Sequence, residues 1–242
     1  MKPLIVMPTY NEAPNVEKII RMVFSKAVNL PRIHLLVVDD NSPDGTAAIV
    51  KNLIENAFGA SLFILQRKKK SGLGTAYIDG FNWGLAKDYD IFVEMDADFS
   101  HHPRYLKGML AKTKTSDFIV GSRYVKGGDV KGWGPGRKFI SIFGSLYART
   151  ILNLPISDLT GGFNVWKKDV LQQIDLNTVR SEGYAFQIEL KYRAFAHAFR
   201  FFEYPIVFED RLQGKSKMSR KIVLEAIYRV WQLRLSNIGH IS

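Results

Sequence analysis

Two carboxylates one residue apart, Asp96 and Asp98, stand at the end of the apolar run Ile91 to Met95. Paired hard oxygen ligands with open positions suit Mg2+ or Mn2+ bridging a diphosphate, because these ions prefer carboxylate, water and phosphate oxygens. The same spacing also serves as a helix cap and a turn residue ahead of Pro103, so the pair alone leaves both readings open. A second acidic pair opens the run Asp39-Asp40-Asn41-Ser42-Pro43-Asp44-Gly45-Thr46. That run is turn and cap chemistry, and a carboxylate there can equally accept hydrogen bonds from a nucleotide base or ribose.

Cations are the natural complement of a departing diphosphate. Arg211, Lys215 and Lys217 lie on a Gly-Lys-Ser-Lys segment and form either a clamp that closes over that charge or a solvated basic loop. Gly214-Lys215-Ser216 is not a phosphate-binding loop, since Glu209 stands where its first glycine is required. Gly72-Leu73-Gly74-Thr75-Ala76-Tyr77 follows a strand and opens a helix, but Tyr77 replaces the third glycine of a dinucleotide fingerprint. His101 and His102 have no further histidine or cysteine at a spacing that completes a zinc site and read as a polar turn before Pro103.

Positioning these groups requires strand ends. Leu4 to Met7, His34 to Val38, Leu62 to Leu65 and Ile91 to Met95 read as buried strands, while Asn15 to Phe24, Ala47 to Asn56 and Thr75 to Leu85 show helical apolar spacing. This β-α alternation predicts an α/β, Rossmann-like domain with a mainly parallel central sheet flanked by helices and ligands outside the carboxyl ends of its strands. Three of those ends carry Pro8-Thr9-Tyr10-Asn11-Glu12, the Asp39 run and Asp96-Ala97-Asp98-Phe99-Ser100. Beyond Ile119-Val120 come a glycine-rich stretch, a strongly apolar helix over Phe139 to Leu154, the loop Asp158 to Phe163, a helix over Glu182 to Ala198, a strand near Arg200 to Phe208 and a helix over Arg220 to Ser236. The 139–154 segment, with Arg137-Lys138 at its start, is either a core helix or one that dips into a membrane surface; Ile222 to Ile238 is a second amphipathic candidate.

The 242 residues show no linker or low-complexity tract and read as one domain. A formal charge of +11 favours polyanions of some kind, and its clustering at Arg67 to Lys70, Arg137-Lys138 and Arg211 to Lys221 suits a folded pocket better than a tail. With no cysteine, disulfides, thiolate metal sites and thiol nucleophiles are excluded. The apolar start, Pro3 to Met7, is too short for a signal-peptide core, and no run of ~18 uncharged apolar residues is present; the expectation is a cytoplasmic chain.

Taken together, Pro8 to Glu12, Val37 to Thr46, Gly72 to Tyr77, Met95 to Pro103, Gly121 to Tyr124, Asp158 to Phe163 and Arg211 to Ser219 resemble, in order, the dolichyl-phosphate (polyprenyl-phosphate) mannosyltransferases. These are inverting nucleotide-diphospho-sugar glycosyltransferases. The resemblance implies that Pro8, Tyr10, Glu12, one of Asp39 or Asp40, and Ala97 hold the donor nucleotide. Asp96, Asp98 and the Ser100 position would surround Mg2+ or Mn2+, with Ser100 standing where relatives often have Gln and ligating through water. Arg211 and Lys217 would hold the donor diphosphate, and Arg123, Arg137 and Ser141 would lie near the acceptor phosphate. Residues 1–120 would be the nucleotide-sugar half and 121–242 the acceptor half. Many relatives continue into transmembrane helices, so the likeness is to compact members that are soluble or use a small membrane-protein partner.

The implied reaction is transfer of mannose from GDP-mannose to a polyprenyl or dolichyl phosphate on the cytoplasmic face of a membrane, the protein being peripheral. Glucose from UDP-glucose is the alternative. A phosphate nucleophile is ionised at neutral pH and needs no strong general base. Nucleic acid is not an expected partner, because no binding motif is present and the acidic strand ends would repel phosphate.

Overall fold

The seven-stranded sheet runs, in spatial order, Leu62–Gln66, His34–Asp39, Pro3–Thr9, Ile91–Glu94, Asn164–Lys167, Phe118–Ser122 and Phe201–Pro205. Its first four strands are β1 (Pro3–Thr9), β2 (His34–Asp39), β3 (Leu62–Gln66) and β4 (Ile91–Glu94), which pair with one another in parallel. They alternate with α1 (Ala13–Lys26), α2 (Thr46–Leu53) and α3 (Leu73–Leu85). The computed structural model describes residues 1–26, 33–210 and 220–236, the side chains of 220–226 excepted.

Strands covered on both faces must be apolar at consecutive positions, and β1 and β2 are. Leu4, Val6, Leu36 and Val38 point into one core, while Ile5, Met7, Leu35 and Val37 point into the other. Residues of α1, α2 and α4 (Leu106–Lys112) close the second core; α3, α5 (Pro135–Leu152), α7 (Gly183–Ala196) and α8 (Arg220–Leu235) close the first. The helix α3 comes close because Gly80 faces Val6 and Gly84 faces Phe92 and Leu4, where a methyl group would overlap them. That approach carries Tyr77, fully buried, toward the carboxyl end of β4.

Strand order runs outward from β1 in one direction through β2 and β3 and in the other through β4. The crevice at this reversal is where open α/β sheets bind ligands. Here it receives the ends of β1, β2 and β4, and with them the three acidic motifs.

The second half departs from the sequence reading in three places. β7 (Asn164–Lys167) inserts antiparallel between β4 and β5 (Phe118–Ser122); at four residues it is too short for its alternation to register. The single strand expected near Arg200 to Phe208 is two. β8 (Phe201–Pro205) pairs with β5, and β9 (Val207–Glu209) pairs with β6 (Asp129–Lys131) in a separate ribbon. The apolar helix begins at Pro135, a residue suited to the first turn because its missing N–H would be unpaired there anyway. It is also no core helix: only Ser145, Ala148 and Leu152 are buried, while Phe139, Ile142, Phe143 and Leu146 are exposed. A short helix, α6 (Lys168–Gln173), follows β7 directly.

Candidate active site

The loops after β1 and β2 are stitched together by side chains. Asp39, fully buried, accepts from the Thr9 hydroxyl at 3.0 Å and from Ser42 through its N–H at 3.0 Å and its hydroxyl at 2.6 Å. Asp44 accepts from the Ala13 N–H at the start of α1 and from Thr46 at the start of α2. Burial would raise its pKa, but these hydrogen bonds prevail and the net shift is downward. Glu12 accepts from the Asn15 side chain at 2.9 Å. Asp40 takes a different partner: Arg67 Nη1 at 2.6 Å. Arg67 also donates to Thr75 at 2.7 Å and pairs with Asp79 at 3.0 Å, fixing the loop that leads into α3. Tyr10 lies beneath the Lys70 ammonium, 3.8 Å from its ring centroid. Pro8 and Tyr10 are half-buried at the crevice edge, and Ala97 is packed in the core beside it. The structure thus gathers Pro8, Tyr10, Glu12, Asp39 and Asp40 at adjacent strand ends, with both aspartates already committed to protein donors.

The Asp96–Asp98 pair forms its own turn. Phe99 adopts φ 69°, a left-handed conformation that costs about 1–2 kcal/mol for a non-glycine residue. It folds Ser100 back so that its N–H and hydroxyl donate to Asp98 Oδ1 at 3.1 and 2.6 Å. Ser100 is therefore a support for one carboxylate, a role its expected ligation through water did not include. Asp96 is about one-third exposed at its side chain, and its Oδ1 accepts from the Tyr77 hydroxyl at 3.0 Å. Burial and then the Asp96 charge push the Tyr77 pKa up, so it stays a donor. The Asp96 N–H donates to His101 Nδ1 at 3.0 Å, which leaves the ring proton on Nε2. His101 is buried and stacks on Phe163 with centroids 5.0 Å apart. His102 is a cap, accepting the Arg104 N–H at 3.1 Å.

Among the described residues no group of three or more His, Cys, Asp or Glu forms a metal cage. Two carboxylates at a partly open strand end are instead the sparse hard-oxygen set that Mg2+ or Mn2+ uses when substrate phosphates and water complete the shell, so the residues present fit such an ion. Arg211 and Lys217, expected to hold the diphosphate, lie outside the described residues.

On the other side of this turn, the loop from Ser157 to Phe163 is held by buried charge. Arg123, 5% exposed, grips Asp158 with Nε at 2.7 Å and Nη2 at 2.6 Å and reaches Thr160 at 2.9 Å. Burial opposes both ionised forms, yet each partner outweighs it: Asp158 shifts down and Arg123 up. The side chain that the resemblance sets near the acceptor phosphate is, in the structure, a buried latch on this loop. Lys191, with no exposed surface, donates to Leu159 O at 3.1 Å and Gly161 O at 2.6 Å. Asn164 donates to Glu94 at 2.7 Å and to Gly161 O at 3.2 Å. Burial moves Lys191 down to about 8 and Glu94 up to about 7.

Arg137 and Ser141 reach a different surface. They line an apolar groove between α5 and α8, together with Trp133, Tyr147, Thr160 and Val230. Arg137 lies 4.1 Å from the Trp133 ring centroid and pairs with Asp210 at 2.9 Å; Ser141 accepts the Tyr124 hydroxyl at 2.7 Å. Tyr77, His101, Lys191 and Asp158 escaped the sequence reading as site-building residues. Tyr77, His101 and Asp158 carried a signal only as parts of recognised runs, Lys191 carried none, and the partner of Asp158 lies 35 residues away.

Acidic strand ends at a switch point, a hard-oxygen pair and a neighbouring groove are the working parts of a glycosyltransferase. The family model described as Glycosyl transferase family 2 matches residues 4–175, and the chain belongs to that family. Polyprenol monophosphomannose synthase of Mycolicibacterium smegmatis is 42% identical over 236 residues, spanning 96% of this chain and 88% of that protein. Undecaprenyl-phosphate mannosyltransferase of Micrococcus luteus is 43% identical over 230 residues, spanning 95% and 93%. Glucosyl-3-phosphoglycerate synthase from Mycobacterium tuberculosis, crystallised with Mn2+, UDP and phosphoglyceric acid, shares the fold: TM-score 0.66 at 19% identity, covering 95% of this chain and 78% of that one.

Proposed function

We propose that this chain transfers mannose, with inversion, from GDP-mannose to the phosphate of a polyprenyl phosphate. The observation that carries the reading is the groove. It is apolar along α5 and α8, holds the Arg137 guanidinium, and is floored by Thr160 of the loop whose Gly162 and Phe163 meet His101 beside the acidic turn. An isoprenoid with a phosphate head matches that order of surfaces, and relatives at 42% and 43% identity carry names with polyprenol or undecaprenyl-phosphate. Residues 1–120 take the nucleotide sugar and 121–242 take the acceptor.

In this mechanism the acceptor phosphate oxygen attacks the anomeric carbon in line as the bond to the nucleoside diphosphate breaks. The phosphate is already ionised, so no side chain has to remove its proton. Asp96 and Asp98 hold Mg2+ or Mn2+, which when bound neutralises charge on the departing diphosphate. Arg211 and Lys217 add positive charge on the same leaving group. Pro8, Tyr10, Glu12 and the Asp39-Asp40 corner seat the nucleoside. Arg137 holds Asp210 through Nη1, so the acid pre-orients the guanidinium for the acceptor phosphate.

The exposed apolar residues of α5 and α8 support a peripheral position on a membrane surface, which this reading assigns to the cytoplasmic face. The test is label transfer into the organic phase from GDP-mannose or UDP-glucose, with polyprenyl phosphate or the free polyprenol as acceptor. GDP-mannose with the phosphate should alone give full turnover, and Arg137→Ala should raise the acceptor KM by about tenfold or more while the donor KM changes little. Equal transfer to the free alcohol, or a variant altered only in donor use, would reject the assignment.

A further inference from the structure

Lys191 is a buried ammonium that no step above uses. It stands on α7 with no exposed surface, and taking an ammonium out of water costs several kcal/mol unless charge and hydrogen bonds offset it. Its two hydrogen bonds go to the carbonyls of Leu159 and Gly161, the residues on either side of Thr160. Opposite charge comes from Asp158 and from Glu94. Glu94 ends β4, two residues before Asp96, and Asn164 joins it to Gly161 O by donating to both.

The loop gripped in this way has one flank on each substrate's side. Thr160 lines the apolar groove. Gly162 lies 3.5 Å from the His101 ring, measured from where a Cβ would sit, and Phe163 stacks on the same ring, whose Nδ1 takes the Asp96 N–H. A displacement of the 159–161 carbonyls therefore moves the groove floor relative to the acidic turn. The loop's other ties, Asp158 to Arg123 and the N–H groups of Ser157 and Asp158 to Glu203, fix its entry. Arg123 and Ser145 reach the Thr160 hydroxyl and Asp158 takes the Gly161 N–H, while the carbonyls of Leu159 and Gly161 are held by Lys191 and Asn164.

We propose that Lys191, counter-charged by Glu94 across Asn164, is a positioning residue that sets the acceptor groove in register with the Asp96–Asp98 turn. The proposal rests on the acceptor reading above. It differs from a purely structural role in what it disturbs: the groove floor shifts, whereas the nucleoside-binding loops after β1 and β2, built from other contacts, do not.

The experiment compares the wild-type full chain, Lys191→Met and the double variant Glu94→Gln with Lys191→Met. GDP affinity by calorimetry, thermal midpoint, and acceptor and donor KM with polyprenyl phosphate in detergent are measured for each. Methionine keeps the length and removes the ammonium, so acceptor KM should rise about tenfold or more, as misplacement of a reacting group by a fraction of an ångström predicts, with GDP affinity within about twofold. Removing both charges should recover the thermal midpoint without recovering acceptor KM, because the Leu159 carbonyl still lacks the Lys191 donor.

Several outcomes overturn the proposal. These are unchanged acceptor KM in Lys191→Met, recovery of acceptor KM in the double variant, parallel loss of GDP and acceptor binding, and failure of both variants to fold. Absence of transfer by the wild-type chain with GDP binding intact would instead reject the functional reading, and the proposal with it.

Discussion

The chemistry of single residues turns on what restrains them. Asp98 is 8% exposed and receives two hydrogen bonds from Ser100, so its carboxylate is oriented before any ligand arrives. Asp98→Ala should lower turnover by at least about 100-fold, the scale for losing one stabiliser of developing charge, in saturating Mn2+ with donor affinity measured separately. Ser100→Ala keeps the N–H contact and loses only the hydroxyl, so a smaller fall, about tenfold, is expected if the serine acts through Asp98. A loss equal to that of Asp98→Ala would instead make Ser100 a ligand in its own right. The acidic motifs were legible in the sequence because each is contiguous. Tyr77 was noticed as a break in a glycine pattern and as the end of a recognised run, with no role attached. Its hydroxyl finds Asp96 across 19 positions, through the close seating of α3, which no local spacing reveals. Arg123 was legible as a cation, but its pairing with Asp158 was not, since that partner is brought in by the fold alone.

At the scale of elements, the parallel half was readable because apolar strands of four to seven residues alternate with helices of distinct period, although β3, expected to be buried, lies at the sheet edge with only Leu62 buried. The rest of the sheet depends on short strands held by end contacts. Asp117 is such a joint: it precedes β5, accepts from Lys167 of β7 at 2.9 Å and from the Arg200 N–H and Nε before β8 at 3.0 and 3.2 Å. Burial would raise its carboxyl, but the hydrogen bonds from Arg200 and Lys167 prevail and hold it at about 2. A depressed folded pKa gives stabilisation that is complete above the unfolded value of 3.8 and disappears as pH falls through about 2. Asp117→Asn should therefore lower stability by about 1–2 kcal/mol near pH 7, after allowance for solvent screening. The gap from wild type should close between pH 4 and pH 2 in denaturant titrations. A gap that persists at pH 2 would assign the loss to packing.

Across the whole molecule, the exposed large hydrophobic residues concentrate on two helices: Phe139, Ile140, Ile142, Phe143 and Leu146 on α5, and Ile227, Tyr228, Trp231 and Leu235 on α8. The sequence left α5 between core and membrane surface, because apolar spacing is the same for either; exposure decides that it is not core. Among the described residues no helix is long and apolar enough to cross a bilayer, so the proposed membrane contact is an interfacial one. Exposed Arg149 stands on α5 in a chain of formal charge +11, which predicts preference for anionic over zwitterionic vesicles and weakening with salt. Phe143 and Trp231 are 57% and 50% exposed, leaving about 1 kcal/mol of apolar transfer in each. Replacing both with serine should cut vesicle partitioning about thirtyfold, the equivalent of about 2 kcal/mol. Because neither side chain is buried, the thermal midpoint and GDP affinity should hold, and transfer to a short, water-soluble polyprenyl phosphate should survive better than transfer to a long one in vesicles. Cosedimentation that is unchanged in the double variant would show that this face does not meet the bilayer; equal loss of activity on both acceptors would tie it to the groove instead.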